Sequence, residues 1–312
     1  RRTTILSLSS LDDDTVLEKK QLSLSFTSQG AVFVTETSTL LTQKRNGVGA
    51  KFNLENGEYI VDNIVGQNTD TILFFTSHGN FYHMKMGDFA VGEKQYLNSL
   101  VTILPYETFK AASIFSEKTE DQSILFLTKK GLIKKSLSSS YNLKRKGGMK
   151  AISLDEDDEI ISVVSSTNGR LGILTEKGNL LLIETEGIRA IGRISRGISC
   201  IKLNEGDTVV SARIIPANTT EILSISNDGY SKRSPIDEFK ITGRGTKGVK
   251  VQKSATLCDF LPIESKEDIL VNASTTQIRV KIEEITSLSR GAQGTKTIKL
   301  TENSKVIKLS KI

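Results

Sequence analysis

The sequence predicts an all-β chain folded as a ring of six four-stranded blades. Three observations carry that expectation: a repeat near 50 residues long, a strand-favouring composition, and turn residues at fixed places in each repeat. In each copy an apolar run ends in Thr or Ser, then come two residues and a glycine. The copies are residues 24–30, 72–79, 124–131, 171–178 and 222–229, ending on Gly30, Gly79, Gly131, Gly178 and Gly229. A sixth copy, 269–276, reads with Thr276 in the glycine's place, and the steps between copies are 47 to 52 residues. A period of this size marks a solenoid or a propeller, in which one unit cannot bury its own faces and stacking does so.

Composition agrees. Apolar residues make up 37% of the 312 residues, Trp is absent and aromatics reach only 6%. The core is then mostly Ile, Leu and Val, which favour strands. Within a unit the glycine closes a hairpin turn, where a positive φ carries no steric cost. A second strand follows, as in 80–85 and 179–184, then a polar loop rich in Gly, Lys and Arg. A third strand (149–154), an acidic turn (55–58, 155–158, 204–207) and a fourth strand (59–61, 160–164, 208–212) complete the unit. The run 155–159 resembles a helix start but falls at the turn position. Six units follow, at about 1–66, 67–116, 117–165, 166–216, 217–263 and 264–312, in a single domain. The first unit is weaker and the sixth atypical, so the two terminal segments are expected to close the ring together.

Charge and cysteine narrow the function classes. The net charge is +6, from 42 basic and 36 acidic residues, so position matters more than the sum. Cys200 and Cys258 make neither a disulfide framework nor a CxxC metal site. Both lie in apolar stretches and are expected to be buried free thiols, as in a reducing compartment. No apolar run approaches the roughly 20 residues that span a bilayer, so no membrane partner is expected. The chain opens Arg1-Arg2-Thr3 with neither Met nor signal core and reads as a fragment of a longer protein.

The basic loops carry the chemistry. They hold Gln43, Lys44, Arg45, Asn46, Gly47, Val48 and Gly49, with Lys51 just beyond; Lys144, Arg145, Lys146 and Lys150; Arg193 and Arg196; Arg244, Lys247 and Lys250; and Arg290 and Lys296. Only the second unit's loop, 92–97, is weakly basic. One Gly- and Arg-rich loop is an ordinary soluble loop. Five copies of the same sign at the same repeat position line one band of a ring, while the acids gather elsewhere, in the turn before the fourth strand. Glycines let backbone approach phosphates, and lysines and arginines neutralise them. The implied partner is a nucleic-acid backbone, bound in a salt-sensitive, sequence-tolerant way. A curved band also bends a duplex, at a cost on the order of 1–6 kcal/mol that contacts from several blades offset.

Residues 43–49 resemble the gyrase A box, whose pattern is Gln-Arg-Arg-Gly-Gly-Lys-Gly. Gln43, Arg45, Gly47 and Gly49 match, and Lys44 keeps the charge. Asn46 replaces a glycine with a residue that tolerates the left-handed conformation, and Val48 loses a charge. The stretches 59–64 and 74–79 continue the likeness, and the six-unit pattern extends it over essentially the whole chain. The sequence is thus similar to the C-terminal DNA-wrapping domain of bacterial DNA gyrase A. That resemblance implies a β-pinwheel, a propeller variant whose blades exchange strands, with the box joining first and last blades. It implies double-stranded DNA wrapped on the outer edge with a positive crossing, enabling negative supercoiling by the ATP-driven holoenzyme, a type II topoisomerase. It also implies the rest of gyrase A, together with gyrase B, as partners, and a bacterial, cytoplasmic location on the chromosome. The family's catalytic tyrosine and metal-binding acids lie in other parts of the enzyme, so this chain is not expected to cut DNA.

No cofactor, metal or nucleophile is expected here. His78 and His83 are two ligands at most, Ser195 has no His or Asp in the repeat frame, and no GxxxxGK[ST] occurs. Asp12, Asp13 and Asp14 and residues 155–159 read as solvated turns or zones that repel DNA. Three readings stay open: the matching domain of topoisomerase IV, which usually lacks a box; a protein-binding propeller, although kelch and WD signatures are missing; and a propeller enzyme, although no polar set converges on the centre.

Overall fold

The computed structural model describes residues 18–104, 106–115, 122–141, 147–166, 169–253 and 256–312. It is a ring of six four-stranded antiparallel sheets. Each blade is built on a hairpin: β1 (Gln21–Thr27) with β2 (Ala31–Glu36), β5 (Thr71–Thr76) with β6 (Asn80–Lys85), β9 (Ser123–Thr128) with β10 (Leu132–Leu137), β13 (Arg170–Thr175) with β14 (Asn179–Glu184), β17 (Glu221–Ser226) with β18 (Tyr230–Pro235), and β21 (Asp268–Ala273) with β22 (Thr276–Lys281). The first strand of each hairpin is buried almost end to end, as in LFFT of β5. Its residues therefore alternate between two apolar environments, one against each neighbouring blade.

A strand of six to eight residues lies against the inner side of each hairpin: β4 (Ile60–Gln67), β8 (Phe109–Phe115), β12 (Ile160–Ser166), β16 (Val209–Ile215), β20 (Leu257–Ile263) and β24 (Val306–Lys311). These six contact one another in sequence, and β24 meets β4, which closes the ring. Five hydrophobic clusters each join two consecutive blades; the one between blades 2 and 3 contains Phe75, Phe81, Phe126 and Tyr141. Cys200 is buried in the cluster between blades 3 and 4, whereas Cys258 is only half-buried. The seam between blades 6 and 1 has another character: buried Asp62, Asn63, Ser23, Ser25 and Ser310 meet there. Asn63 donates to Ser23 Oγ (2.8 Å) and Ser25 Oγ (3.0 Å) and accepts from Ser310 Oγ (2.8 Å), and Lys308 pairs with Asp62.

The outer strands differ from the sequence expectation. Read from the repeat alone, the third strand is about six residues long and belongs to its own unit, whereas the family resemblance implies that blades exchange strands, as they do here. The strand is two or three residues long and pairs in the preceding blade. β7 (Lys94–Tyr96) completes blade 1, β11 (Met149–Lys150) blade 2, β15 (Ile198–Ser199) blade 3, β19 (Val249–Lys250) blade 4 and β23 (Thr295–Lys296) blade 5. β3 (Ala50–Lys51), from the first unit, pairs with β22 and completes blade 6. Each blade is thus latched by the next unit, and the first and last units share the last blade.

The sixth hairpin also departs from expectation. Thr276 does not replace the turn glycine but opens β22, paired with Lys51 as Asn80 is with Lys150, so this turn is one residue shorter. The acidic turns are not simply solvated. Asp158 and Asp207 are buried and accept the backbone N–H groups of Lys130 (3.0 Å) and Lys177 (2.9 Å), fixing the hairpin beside them. Glu159 pairs with Lys110 and Lys129. Asp12–Asp14 lie outside the described residues. The one α-helix among the described residues is α1 (Leu97–Leu100), and no helix among them is long and apolar enough to cross a membrane.

Candidate nucleic-acid interface

Because each outer strand belongs to the next unit, the basic loop before it must cross from one blade to its predecessor. The crossing brings successive loops together on the rim. Arg45, Arg193, Arg244 and Arg290 each stand four residues before the glycines at 49, 197, 248 and 294. The residue after the arginine donates its N–H to the strap of the preceding unit: Asn46 to the Thr297 carbonyl (2.6 Å), Gly291 to Val251 (3.1 Å) and Gly245 to Cys200 (2.6 Å). Reciprocal bonds run from Lys299 N–H to Gly47 (3.0 Å), Lys253 to Ala292 (3.1 Å) and Lys202 to Thr246 (3.0 Å). Two carboxylates add a further tie: Glu284 accepts the Arg45 N–H at 2.7 Å, and Glu238 the Arg290 N–H at 2.5 Å. Among the described residues these bonds tie the loops of units 5, 6 and 1 each to the strap of the unit before it, as one hydrogen-bonded belt.

On this belt Lys44, Arg45, Lys51, Arg196, Arg244, Lys247, Lys250 and Arg290 are exposed, and Lys150, Arg193 and Lys296 are half-buried. Lys144, Arg145 and Lys146 lie outside the described residues. Gln43 holds the box loop: its Oε1 accepts the Gly49 N–H at 3.3 Å, while Asn46 takes φ 65°. Gly47 lies over Ile278, and Val48 is exposed beside it.

Several basic groups also brace the rim. Lys150 donates to the His78 carbonyl (2.6 Å), Lys296 to that of Asp228 (2.5 Å) and Lys250 to that of Lys177, so each of these three lysines clamps the hairpin turn of the blade it latches. Two N–H donors of each ammonium remain for another partner. The Arg193 guanidinium donates to the Lys150 carbonyl and lies 6.0 Å from the Phe81 ring centre. Arg196 pairs with Asp155 at 2.6 Å, so basic loop and acidic turn are not separated at this blade as the sequence suggested. The reason is again the crossing, which sets the fourth unit's loop over the third unit's turn.

Two buried lysines support the belt from beneath. Lys134 donates to the carbonyls of Arg193 (2.5 Å) and Ala151 (2.5 Å) and to Tyr141 Oη (3.0 Å). Lys232, at the same place in β18, donates to the Ser289 carbonyl (2.9 Å) and Ser234 Oγ (2.5 Å). Burial, with Arg193 nearby, pushes the Lys134 ammonium down to about 7, and burial first of all brings Lys232 down to about 8. A lysine depressed in the fold holds fewer protons there than in the unfolded chain between those values and the usual 10.5. Stability therefore rises with pH through that window, by at most about 1.4 kcal/mol per pH unit for each lysine. Urea midpoints are expected to climb from pH 7 to 9.5, and Lys134→Met is expected to flatten the climb. An equally steep climb in Lys134→Met would assign it to other groups.

Sequence reading missed Lys202, Lys253 and Lys299. All three are exposed, three residues past the outer-strand positions 199, 250 and 296. The signal was available in their spacing, but they lie beyond the Gly- and Arg-rich stretches that drew attention. Together the belt offers a curved row of cations on glycine-punctuated backbone, suited to a regular polyanion rather than to one small anion.

The family model for "DNA gyrase C-terminal domain, beta-propeller" matches residues 24–62, 70–92, 122–167, 173–216, 220–276 and 278–312. DNA gyrase A of Helicobacter pylori is 30% identical over 96% of this chain and 38% of its own length. The Staphylococcus epidermidis protein of the same name is 28% identical over 100% of this chain and 37% of its own. The chain thus spans less than two-fifths of the curated relatives it matches. The solved C-terminal domain of DNA gyrase A superposes with a TM-score of 0.87 at 20% identity, covering 94% of this chain and 100% of that one. The C-terminal domain of DNA topoisomerase IV superposes at 0.70 and 20% identity, covering 95% and 94%.

Proposed function

The chain belongs to the DNA gyrase C-terminal domain family of β-propellers, and on that premise we propose that it binds double-stranded DNA on its basic outer belt, bends it and wraps it with one hand. It acts as the wrapping part of a longer gyrase-type topoisomerase, with the rest of gyrase A and with gyrase B as partners, in the bacterial cytoplasm on the chromosome. It takes no cofactor and performs no strand cleavage. The observation that carries the reading is the belt itself, in which, among the described residues, four units present arginine at one repeat position on the rim with lysines from the same and neighbouring segments. Such a surface neutralises successive phosphates without reading bases.

The test uses nicked circular DNA sealed by ligase in the presence of the chain, then deproteinised. A positive linking-number shift that grows with protein is expected. Salt-sensitive binding without a shift would overturn wrapping and favour a topoisomerase IV-like role; no binding would overturn the DNA reading. Arg244→Ala with Lys247→Ala is expected to reduce the slope of log K against log salt by about 1.8, near 0.9 per phosphate contact. Lys44→Ala with Arg45→Ala should lower the linking shift more than the affinity, since the other loops still hold DNA.

A further inference from the structure

We infer that the DNA path on the rim is an open arc over blades 2 to 6, and that the duplex enters and leaves it at blade 1, whose rim carries no DNA. The inference rests on the DNA reading above and adds where the path begins and ends.

The belt changes character at one blade. Blades 2 to 6 receive the loops that contain Lys150, Arg193, Arg244, Arg290 and Arg45, whereas blade 1 receives the second unit's segment through β7. Between residues 86 and 109 that segment has a single basic residue, Lys94, against Asp88, Glu93 and Glu107. Lys94 sits where the other loops have Gly49, Gly148, Gly197, Gly248 and Gly294, two residues before the strand position paired with the first residue of the hairpin's second strand.

Lys94 is also occupied. Its ammonium lies 2.8 Å from Glu55 and 2.7 Å from Glu58, and its side chain is only 18% exposed. The rings of Tyr96 and Phe33 close over it at 5.2 and 5.9 Å. Arg196, the other paired belt cation, faces one carboxylate and keeps 60% of its side chain exposed. Two carboxylates on one ammonium leave the Lys94 site net negative, with Glu93 and Asp88 exposed nearby. The same sector exposes Val91 and Tyr96. A phosphate backbone laid there would meet repulsion and apolar surface rather than counterion-releasing cations.

Three exposed aliphatic positions give a matched test: Val48 on blade 6 (43% exposed), Ile241 on blade 4 (46%) and Val91 on blade 1 (49%). Each is changed to cysteine, tagged with a thiol-linked photo-crosslinker and irradiated with duplex DNA. Cys200 stays silent, because it is buried and its thiol is pushed up to about 12, and the half-buried Cys258 is changed to serine in all three variants. Cross-links are expected from 48 and 241, with loss to background from 91. Comparable yield from 91 would overturn the open arc while leaving DNA binding intact. Background at all three would remove the DNA reading, and the arc with it.

Discussion

Lys308→Met is expected to destabilise the ring by about 3 kcal/mol, the low end for breaking a buried ion pair by removing one partner. Asp62 is nearly buried and joins three blades. It pairs with Lys308 of blade 6, accepts the Ala112 N–H of blade 2 at 3.0 Å, and accepts the N–H of its neighbour Asn63 at 2.8 Å. Without the ammonium, a charged carboxylate stays buried on two backbone donors. The retained N–H bonds and the partial exposure of Lys308 (27%) keep the loss at the low end. The urea midpoint checks the size, and Asp62→Asn in the Lys308→Met background checks the cause. The double variant should regain much of the loss, because the amide removes the unpaired charge. A double variant as unstable as the single would sink the account. Hydrogen exchange should rise first in β24, β4 and β3, because apolar clusters hold the other five interfaces while this seam is closed by polar groups.

The contrast between that seam and the rest explains what the sequence could and could not convey. The central hairpins were legible because every copy occupies the same surroundings, buried on both faces and punctuated by a turn, so the same residue classes recur. The outer strands were not, because two paired residues leave no alternation to read, and their pairing depends on a crossing to another unit. The same crossing hid the Arg196–Asp155 pair and the clamping duty of Lys150, Lys250 and Lys296. The arginines of the belt stood out because their sign repeats at a fixed offset. Lys134 and Lys232 did not, because polarity marks a lysine as a surface residue unless the loop carbonyls that take its protons are known. Lys94 shows the reverse: a basic residue at the repeat's glycine position that two acids from the first unit's turn had already claimed.

Gly49→Ala is expected to cost roughly 2–4 kcal/mol and to abolish most of the linking shift, whereas Gly57→Ala should cost only about 1–2 kcal/mol and leave the shift intact. The two glycines have the same φ, +78°, so the backbone penalty for a side chain is shared. They differ in what a Cβ would meet: the Gln277 carbonyl oxygen at 2.4 Å for Gly49, and nothing within 4 Å for Gly57. Gln277 lies in β22 and pairs with Ala50. The clash therefore falls on backbone that cannot yield without parting β3 from the last blade. That parting would move the Gln43–Gly49 loop, with Lys44 and Arg45, off the rim at the point where first and last units join. Arg193, Arg244 and Arg290 stay on their own blades, so affinity should fall less than writhe. Urea midpoints with the ligation assay separate the two effects. Equal destabilisation by the two alanines would mean that the close approach is relieved elsewhere. A full linking shift in Gly49→Ala would mean that DNA follows the rim without needing the box in place.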